Sequence, residues 1–243
     1  MKSLWNYLKL AWLGFWLIMA TLVLFLPIVL AALCSRSGNL SFSLARLWAL
    51  TILAVSFTRT RLRGRENIEP GRSYIIVSNH QSHFDILSLV TRLGIPYRWV
   101  IKKELRHIPL FGYALYASRN IFIDRSNKQS AIDSINQGID RLPAGVGVLF
   151  FAEGTRSPDG RIQPFKKGGF IMAVQRGMPI LPVTVNGSRK VLPKNSLFFS
   201  PGKIEVVAGP PIETSHYTMD NLDELITKTR AVIVENFNPD YPR

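Results

Sequence analysis

The sequence predicts an α/β domain with a mixed, largely parallel sheet flanked by helices, entered through an N-terminal hairpin of two apolar helices. Three observations predict it. From residue 73 onward, short apolar strand-like runs alternate with helix-like runs, the pattern of strands joined by crossover helices. The stretch Leu10–Ser35 carries no charge at all. No acidic residue occurs before Glu66, although Lys2, Lys9, Arg36 and Arg46 fall in the first 57 residues. The chain, at 243 residues, is long enough for a good core. The expected division is a membrane anchor over 1–57 and an α/β domain over 58–243.

Taken in order, residues 10–33 are apolar or small, and a helix of that length reaches about 36 Å, enough to cross the ~30 Å hydrocarbon core. The stretch exceeds a signal-peptide core and no Ala-x-Ala site closes it, so it reads as a retained anchor. Ser35–Asn39 is a turn. The second apolar segment, Leu40–Phe57, contains Arg46, which is costly in lipid, so it lies at the interface, re-enters, or lets Arg46 snorkel. A soluble hairpin packed on the domain is the alternative. Arg59, Arg61, Arg63 and Arg65 then recur at period two, and an extended segment puts all four on one face. Such a face suits anionic headgroups at about 1 kcal/mol per residue and favours a cytoplasmic position for the α/β domain; a solvated edge strand is compatible with it. The expected strands are Tyr74–Ser78, Tyr97–Ile101, Asn120–Ile123, Val146–Phe151, Ile180–Val185 and Ile204–Val207. The expected helices cover 85–93, 109–117, 128–142, 168–177 and 218–236.

The net charge of +14 calls for a polyanionic partner. With 47% apolar residues so unevenly placed, that partner is a lipid surface with anionic membrane lipids, and not nucleic acid. The single Cys34 excludes an internal disulfide. The four histidines (80, 83, 107, 216) are scattered without metal-ligand spacing, so neither metal nor cofactor is expected.

His80 and Asp85 sit where a buried strand turns into an amphipathic helix. Five-residue spacing does not stack two side chains on one helix face, but a turn that folds back can bring the carboxylate onto one imidazole nitrogen. The other nitrogen then points outward as a base, as acyl transfer requires. The alternative is that Ser82, His83 or Asp85 caps the helix. Four further stretches follow strands, where open α/β sheets bind ligands. Lys102-Lys-Glu-Leu105 adds cations, and Ile121-Phe-Ile-Asp-Arg125 ends on an exposed acid–base pair. Phe151-Ala-Glu-Gly-Thr-Arg156 ends the strongest strand with a potential phosphate fork. Lys166 and Lys167 open a helix and form a possible anion site.

Asn79-His80-x4-Asp85, Ile121–Arg125, Phe151–Arg156 and Leu181-Pro-Val-Thr-Val185 occur in an order that resembles the 1-acylglycerol-3-phosphate acyltransferase family of membrane glycerolipid enzymes, over about residues 60–210. The resemblance implies a glycerol-3-phosphate acyltransferase-like fold. It implies transfer of an acyl group from acyl-CoA or acyl carrier protein to the 2-hydroxyl of lysophosphatidic acid, giving phosphatidic acid. It implies His80 as general base oriented by Asp85. Glu153, Gly154, Thr155 and Arg156 would bind glycerol phosphate, with Lys102 and Arg125 as further contacts. Two residues depart from the family pattern: Ala152 stands where Pro is usual, and Arg119 where Gly is frequent, adding bulk and charge near the acceptor. Acylation of another lysolipid, such as a lyso-ornithine lipid, and a non-catalytic anionic-lipid adaptor are the competing readings.

Overall fold

The structure is a computed structural model that describes residues 4–35, 37–124 and 126–242. All six expected strands form, and the arginine-rich segment adds one more before them. The strands are β1 (Thr58–Arg63), β2 (Ile75–Ser78), β3 (Tyr97–Lys102), β4 (Ile121–Ile123), β5 (Gly147–Phe151), β6 (Ile180–Asn186) and β7 (Gly202–Ala208). They make a 7-stranded sheet of order β1-β7-β6-β2-β5-β3-β4. Strand pairing is parallel throughout except between β6 and β7.

The central strands are buried on both faces, which is why they read as continuous apolar runs. Side chains alternate across the sheet. Ile76, Leu149, Leu181 and Val183 join one core cluster, while Ile75, Val77, Val148 and Ile180 join the other. The first cluster is covered by α3 (Phe84–Arg92), through Leu87, Leu89 and Val90. The second is covered by α5 (Lys128–Asp140), α6 (Gly168–Arg176) and α8 (Leu222–Glu235), which contribute Ile135, Phe170, Met172, Leu225 and Ile233. Two short helices, α4 (Phe111–Ala117) and α7 (Ser188–Val191), complete the set.

β1 is an edge strand, with Arg59, Arg61 and Arg63 exposed on one side. Arg61 and Arg63 both reach Glu205 on β7, at 2.8 and 3.8 Å. The expected face of four arginines is therefore one of three. Arg65 falls in a 3₁₀ turn after Gly64 and donates to the Leu93 carbonyl at 2.8 Å.

The apolar segments form α1 (Leu4–Cys34) and α2 (Asn39–Val55). Hydrogen bonds cross between them from Ser41 Oγ to the Ile28 carbonyl and from Trp48 Nε1 to Thr21 Oγ1. α2 is part of the protein core: Ala49, Ile52 and Leu53 share the first cluster with Leu89, Leu93, Tyr97 and Val206. α1 behaves otherwise. Among the described residues it is the one helix long and apolar enough to cross a membrane. Trp5, Phe15, Ile18, Val23 and Leu26 stand exposed along it. An apolar surface of this extent marks an interaction with lipid or protein, and its length and composition favour membrane association. Arg46 is exposed on α2, so its charge is not held in the protein interior.

Arg98 on β3 ties the hairpin to the sheet. Its side chain is buried, yet it donates to the Ser37 carbonyl at 2.6 Å, to Asn39 Oδ1 at 2.9 Å and to the Tyr97 carbonyl at 2.9 Å. The first two acceptors lie at the turn where α2 begins, so a guanidinium inside the domain holds the hairpin's bend.

Because α2 packs into the core, Leu53→Ala should cost about 2–5 kcal/mol of unfolding free energy, whereas Leu47→Ala, at 49% exposure, should cost close to nothing. Thermal or denaturant unfolding in detergent reads both. A chain beginning at Thr58 would bare the inner face of α3 and should aggregate. Recovery of a monodisperse folded domain would show that α2 is not part of the core.

Candidate active site

The site lies where the sheet's connectivity reverses. β2 is flanked by β5 on one side and β6 on the other, both parallel to it. The loops leaving these three strands converge at their carboxyl ends, in the crevice where ligands bind to open α/β sheets. Asn79, the first residue after β2, pins this corner. Its side chain donates to the Val185 carbonyl at 3.0 Å and accepts the Val185 N–H at 2.8 Å.

The turn after Asn79 folds back as its spacing allows. Asp85 Oδ2 lies 2.8 Å from His80 Nδ1 and accepts the backbone N–H groups of Gln81 at 2.7 Å and Ser82 at 2.8 Å. Asp85 is fully buried. The helix's N-cap residue, His83, makes no side-chain cap bond; beside it Ser82 Oγ accepts the Phe84 N–H at 3.2 Å and donates to the Leu192 carbonyl at 2.7 Å. The His80 ring is stacked on Phe151, with centroids 3.6 Å apart and planes 8° apart. With Nδ1 engaged by Asp85 and one ring face covered, Nε2 is the nitrogen left to meet a ligand, and the side chain retains 13% exposure. Burial lowers the affinity of neighbouring His83 for a proton, and the charges of Arg156 and His80 lower it further. That coupling puts Arg156 within electrostatic reach of the turn.

Glu153 is 3% exposed, and both its oxygens are occupied. Oε1 accepts the backbone N–H of His80 at 2.8 Å, and Oε2 that of Gln163 at 3.0 Å. The His80 carbonyl in turn accepts from Ser157 N at 2.8 Å. The loop after β5 thus clamps the backbone of His80 from both sides. Glu153, expected as a contact to glycerol phosphate, thus has each oxygen engaged by a backbone N–H of the protein. Gly154 has φ +72, a backbone angle that glycine takes without strain. Thr155 is exposed and Arg156 half-buried. Lys194 Nζ fastens the Arg156 carbonyl at 2.6 Å. Among the described residues Arg156 has no carboxylate partner within ion-pair distance.

The other expected cations disperse. Lys102 ends β3 opposite Ile123 and pairs with Glu104 at 3.5 Å. Lys103 pairs with Asp124, whose carboxyl it holds below the usual range. Arg125 lies outside the described residues. Lys166 closes the loop through its backbone N–H, 2.7 Å from the Ala152 carbonyl, and its side chain passes near Gly154. Lys167, the other lysine of the expected anion site, makes an exposed ion pair with Asp223 at 2.6 Å. Arg119 belongs to the opposite end of β4. It precedes the strand and its stem packs over the Gly38 position of the α1–α2 turn, so it does not crowd an acceptor in the crevice.

Behind His80 the protein is apolar. Phe151 stacks against Trp99 with centroids 5.5 Å apart. Trp99 is part of the wall of a chamber bounded by Phe25 and Ile28 of α1, Trp48 of α2, Leu87 of α3 and Phe111 of α4. The hairpin and the α/β domain enclose this space together.

Residues 59–186 match the Acyltransferase family. The chain belongs to that family. A chloroplastic 1-acyl-sn-glycerol-3-phosphate acyltransferase from Brassica napus is 34% identical over 80% of this chain and 55% of its own length. The 1-acyl-sn-glycerol-3-phosphate acyltransferase of Pseudomonas aeruginosa is 35% identical over 78% of this chain and 72% of its own. The chain spans a little over half the length of the plant relatives it matches. The solved 1-acyl-sn-glycerophosphate (LPA) acyltransferase PlsC from Thermotoga maritima superposes with a TM-score of 0.83 at 25% identity, covering 97% of this chain and 95% of that one.

In this member of the Acyltransferase family, sequence reasoning missed the clamp on His80 and the role of Asn79. Burial pushes the Glu153 carboxyl up to about 7, against the two backbone N–H donors that lower it. A carboxyl raised on folding binds its proton more tightly in the native state than in the unfolded chain. Its contribution to stability is therefore complete below the unfolded value of about 4.3 and is lost as pH rises through about 7. Glu153→Gln should flatten that fall in a melting series between pH 4.5 and 7.5. An identical pH slope in both proteins would mean that Glu153 does not titrate there.

Proposed function

We propose that this acyltransferase transfers a fatty acyl group from an acyl thioester, acyl-CoA or acyl carrier protein, to the 2-hydroxyl of 1-acylglycerol-3-phosphate, giving phosphatidic acid. The observation that carries the reaction type is the His80–Asp85 pair at 2.8 Å with Nε2 turned to the crevice. Nε2 takes the proton of the acceptor hydroxyl as its oxygen attacks the thioester carbon. Asp85 holds the proton on Nδ1 and stabilises the imidazolium that forms. Collapse of the tetrahedral intermediate breaks the C–S bond, and His80 returns the proton to the departing thiolate. The ester is formed, the free thiol leaves, and the imidazole is neutral again.

Two features favour a lipid substrate with a phosphate. The apolar surroundings of Phe151 and Trp99 favour a substrate with an apolar part beside His80. Arg156, without a carboxylate partner and close to His83, offers a fork for phosphate oxygens, with Lys166 beside the same loop. Lys102, at the carboxyl end of β3, is a further candidate, and Arg125 is one from the sequence alone. Glu153 acts indirectly, by positioning the His80 backbone. The names of the relatives support lysophosphatidic acid as acceptor. α1 serves as the anchor that keeps the crevice at the lipid surface, on the cytoplasmic face, while α2 joins residues 58–243 in the body that carries the chemistry.

Purified full-length protein, assayed with lysophosphatidic acid in vesicles and with either donor, should form phosphatidic acid. His80→Ala should remain folded and lose about 10²–10⁴-fold in kcat; undiminished turnover would end the base assignment. Arg156→Lys should raise KM for lysophosphatidic acid severalfold. Arg156→Ala should cost roughly 1.5–3 kcal/mol in kcat/KM, and much less with a lysolipid lacking the terminal phosphate. Equal losses on both acceptors would make Arg156 a support for the loop.

A further inference from the structure

Away from the crevice, at the amino end of β4, a cleft of about 590 Å³ lies between α4 and α5, a volume within the range of ligand sites. Arg106, Arg119 and Arg141 line it together with Tyr113 and Tyr116, and no Asp or Glu is among the lining residues. None of the three arginines has a carboxylate within ion-pair distance among the described residues. Arg106 lies over the Tyr116 ring, 4.1 Å from its centroid.

Two unfavourable features meet at Arg119. Its φ is +61, in the left-handed region that glycine occupies without penalty. Its charge also opposes that of the buried Arg98: the Arg98 guanidinium is pushed down to about 10, by burial first and by Arg119 second. The angle is that of the residue closing a helix cap, where the Arg119 N–H meets the Tyr116 carbonyl at 2.9 Å and the Asn120 N–H the Leu115 carbonyl at 3.4 Å, so it is the like-charge approach that is left without an answer. An anion in the cleft would answer both charges. Three guanidinium forks without carboxylates favour phosphate oxygens, which accept parallel N–H pairs.

The surroundings identify the source of that phosphate. The far wall is the C-terminal end of α1, where Leu33 is 76% exposed, and Tyr113 at the cleft's edge is 52% exposed. The rings of Phe25 on α1 and Tyr113 on α4 have centroids 6.2 Å apart, so the apolar face of α1 meets α4 at the cleft's edge. Tyrosines between an apolar face and a cluster of arginines mark the boundary between hydrocarbon and headgroups. We infer that the cleft between α4 and α5 binds the phosphate headgroup of a bilayer lipid whose chains lie along α1. The site rests on membrane association and is separate from the acyl-transfer crevice.

The full chain in a neutral detergent can be titrated with dihexanoyl phosphatidylglycerol, dihexanoyl phosphatidylcholine and inorganic phosphate, with bound ligand read by thermophoresis. The anionic lipid should bind at least about tenfold more tightly than the zwitterionic one. Arg119→Gly and Arg141→Gln should each weaken the anionic lipid about tenfold or more, while Arg46→Gln, on exposed α2, should not. Arg119→Gly relieves the φ strain, so its melting temperature should hold or rise, which separates lost binding from lost folding. Unchanged lipid affinity in both cleft variants would overturn the proposal. So would inorganic phosphate binding as tightly as the lipid, which would make the cleft a site for a soluble anion. Neither readout needs turnover, so failure here and failure of the acyl-transfer reading are distinguishable.

Discussion

Oδ2 of Asp85 receives three N–H donors, from the His80 ring and from the backbones of Gln81 and Ser82, while Oδ1 is buried without a hydrogen-bond partner among the described residues. Burying a carboxylate is tolerable only when donors replace its water. Here the donors come from the very turn that carries the histidine, so the cost of burial is offset only if the turn closes. The same constraint operates a second time at Glu153, whose oxygens take the amides of His80 and Gln163. Two buried carboxylates thus fix one histidine, the first through its ring and the second through its backbone. The imidazole has little freedom left except at Nε2.

This arrangement depends on the sheet in a specific way. β2, β5 and β6 are adjacent and parallel, so three loops leave at one end and can donate to one another across strands. Asn79 bridges β2 to β6, and Glu153 bridges β5 to β2. Antiparallel neighbours would have sent alternate loops to opposite ends. The reversal between β6 and β7 comes only after the last loop the crevice needs.

Most of this was legible in the sequence because parallel strands buried on both faces leave continuous apolar runs, and all six expected strands sit where those runs lie. The His80–Asp85 spacing, which no helix could satisfy, correctly required a turn. What stayed hidden was pairing between distant residues. Lys167 reads as half of an anion site, and nothing local announces Asp223, 56 positions on along the chain (223 − 167). Glu153 reads as a ligand contact, a carboxylate beside Gly-Thr-Arg, and its backbone-amide partners have no sequence signature. Arg119 stands out as a departure but reads as belonging to the wrong end of β4, since strand direction alone separates the crevice from the amino-end cleft. Arg98 reads as an ordinary strand residue.

Arg98 then bears on how anchor and domain belong together. A guanidinium buried in the domain without acceptors would be severely destabilising. Two of its acceptors, the Ser37 carbonyl and Asn39 Oδ1, belong to the bend of the hairpin. The domain therefore needs the bend to satisfy Arg98, and α2 needs the domain to bury Ala49, Ile52 and Leu53. The apolar chamber behind His80 is bounded by both parts. A hairpin tethered by a loose linker would leave that wall undefined and the distance from lipid to Nε2 variable. Arg98 ties the bend, and with it the hairpin wall, to the sheet. In this fold the geometry of membrane contact and the geometry of the histidine are set by one continuous core.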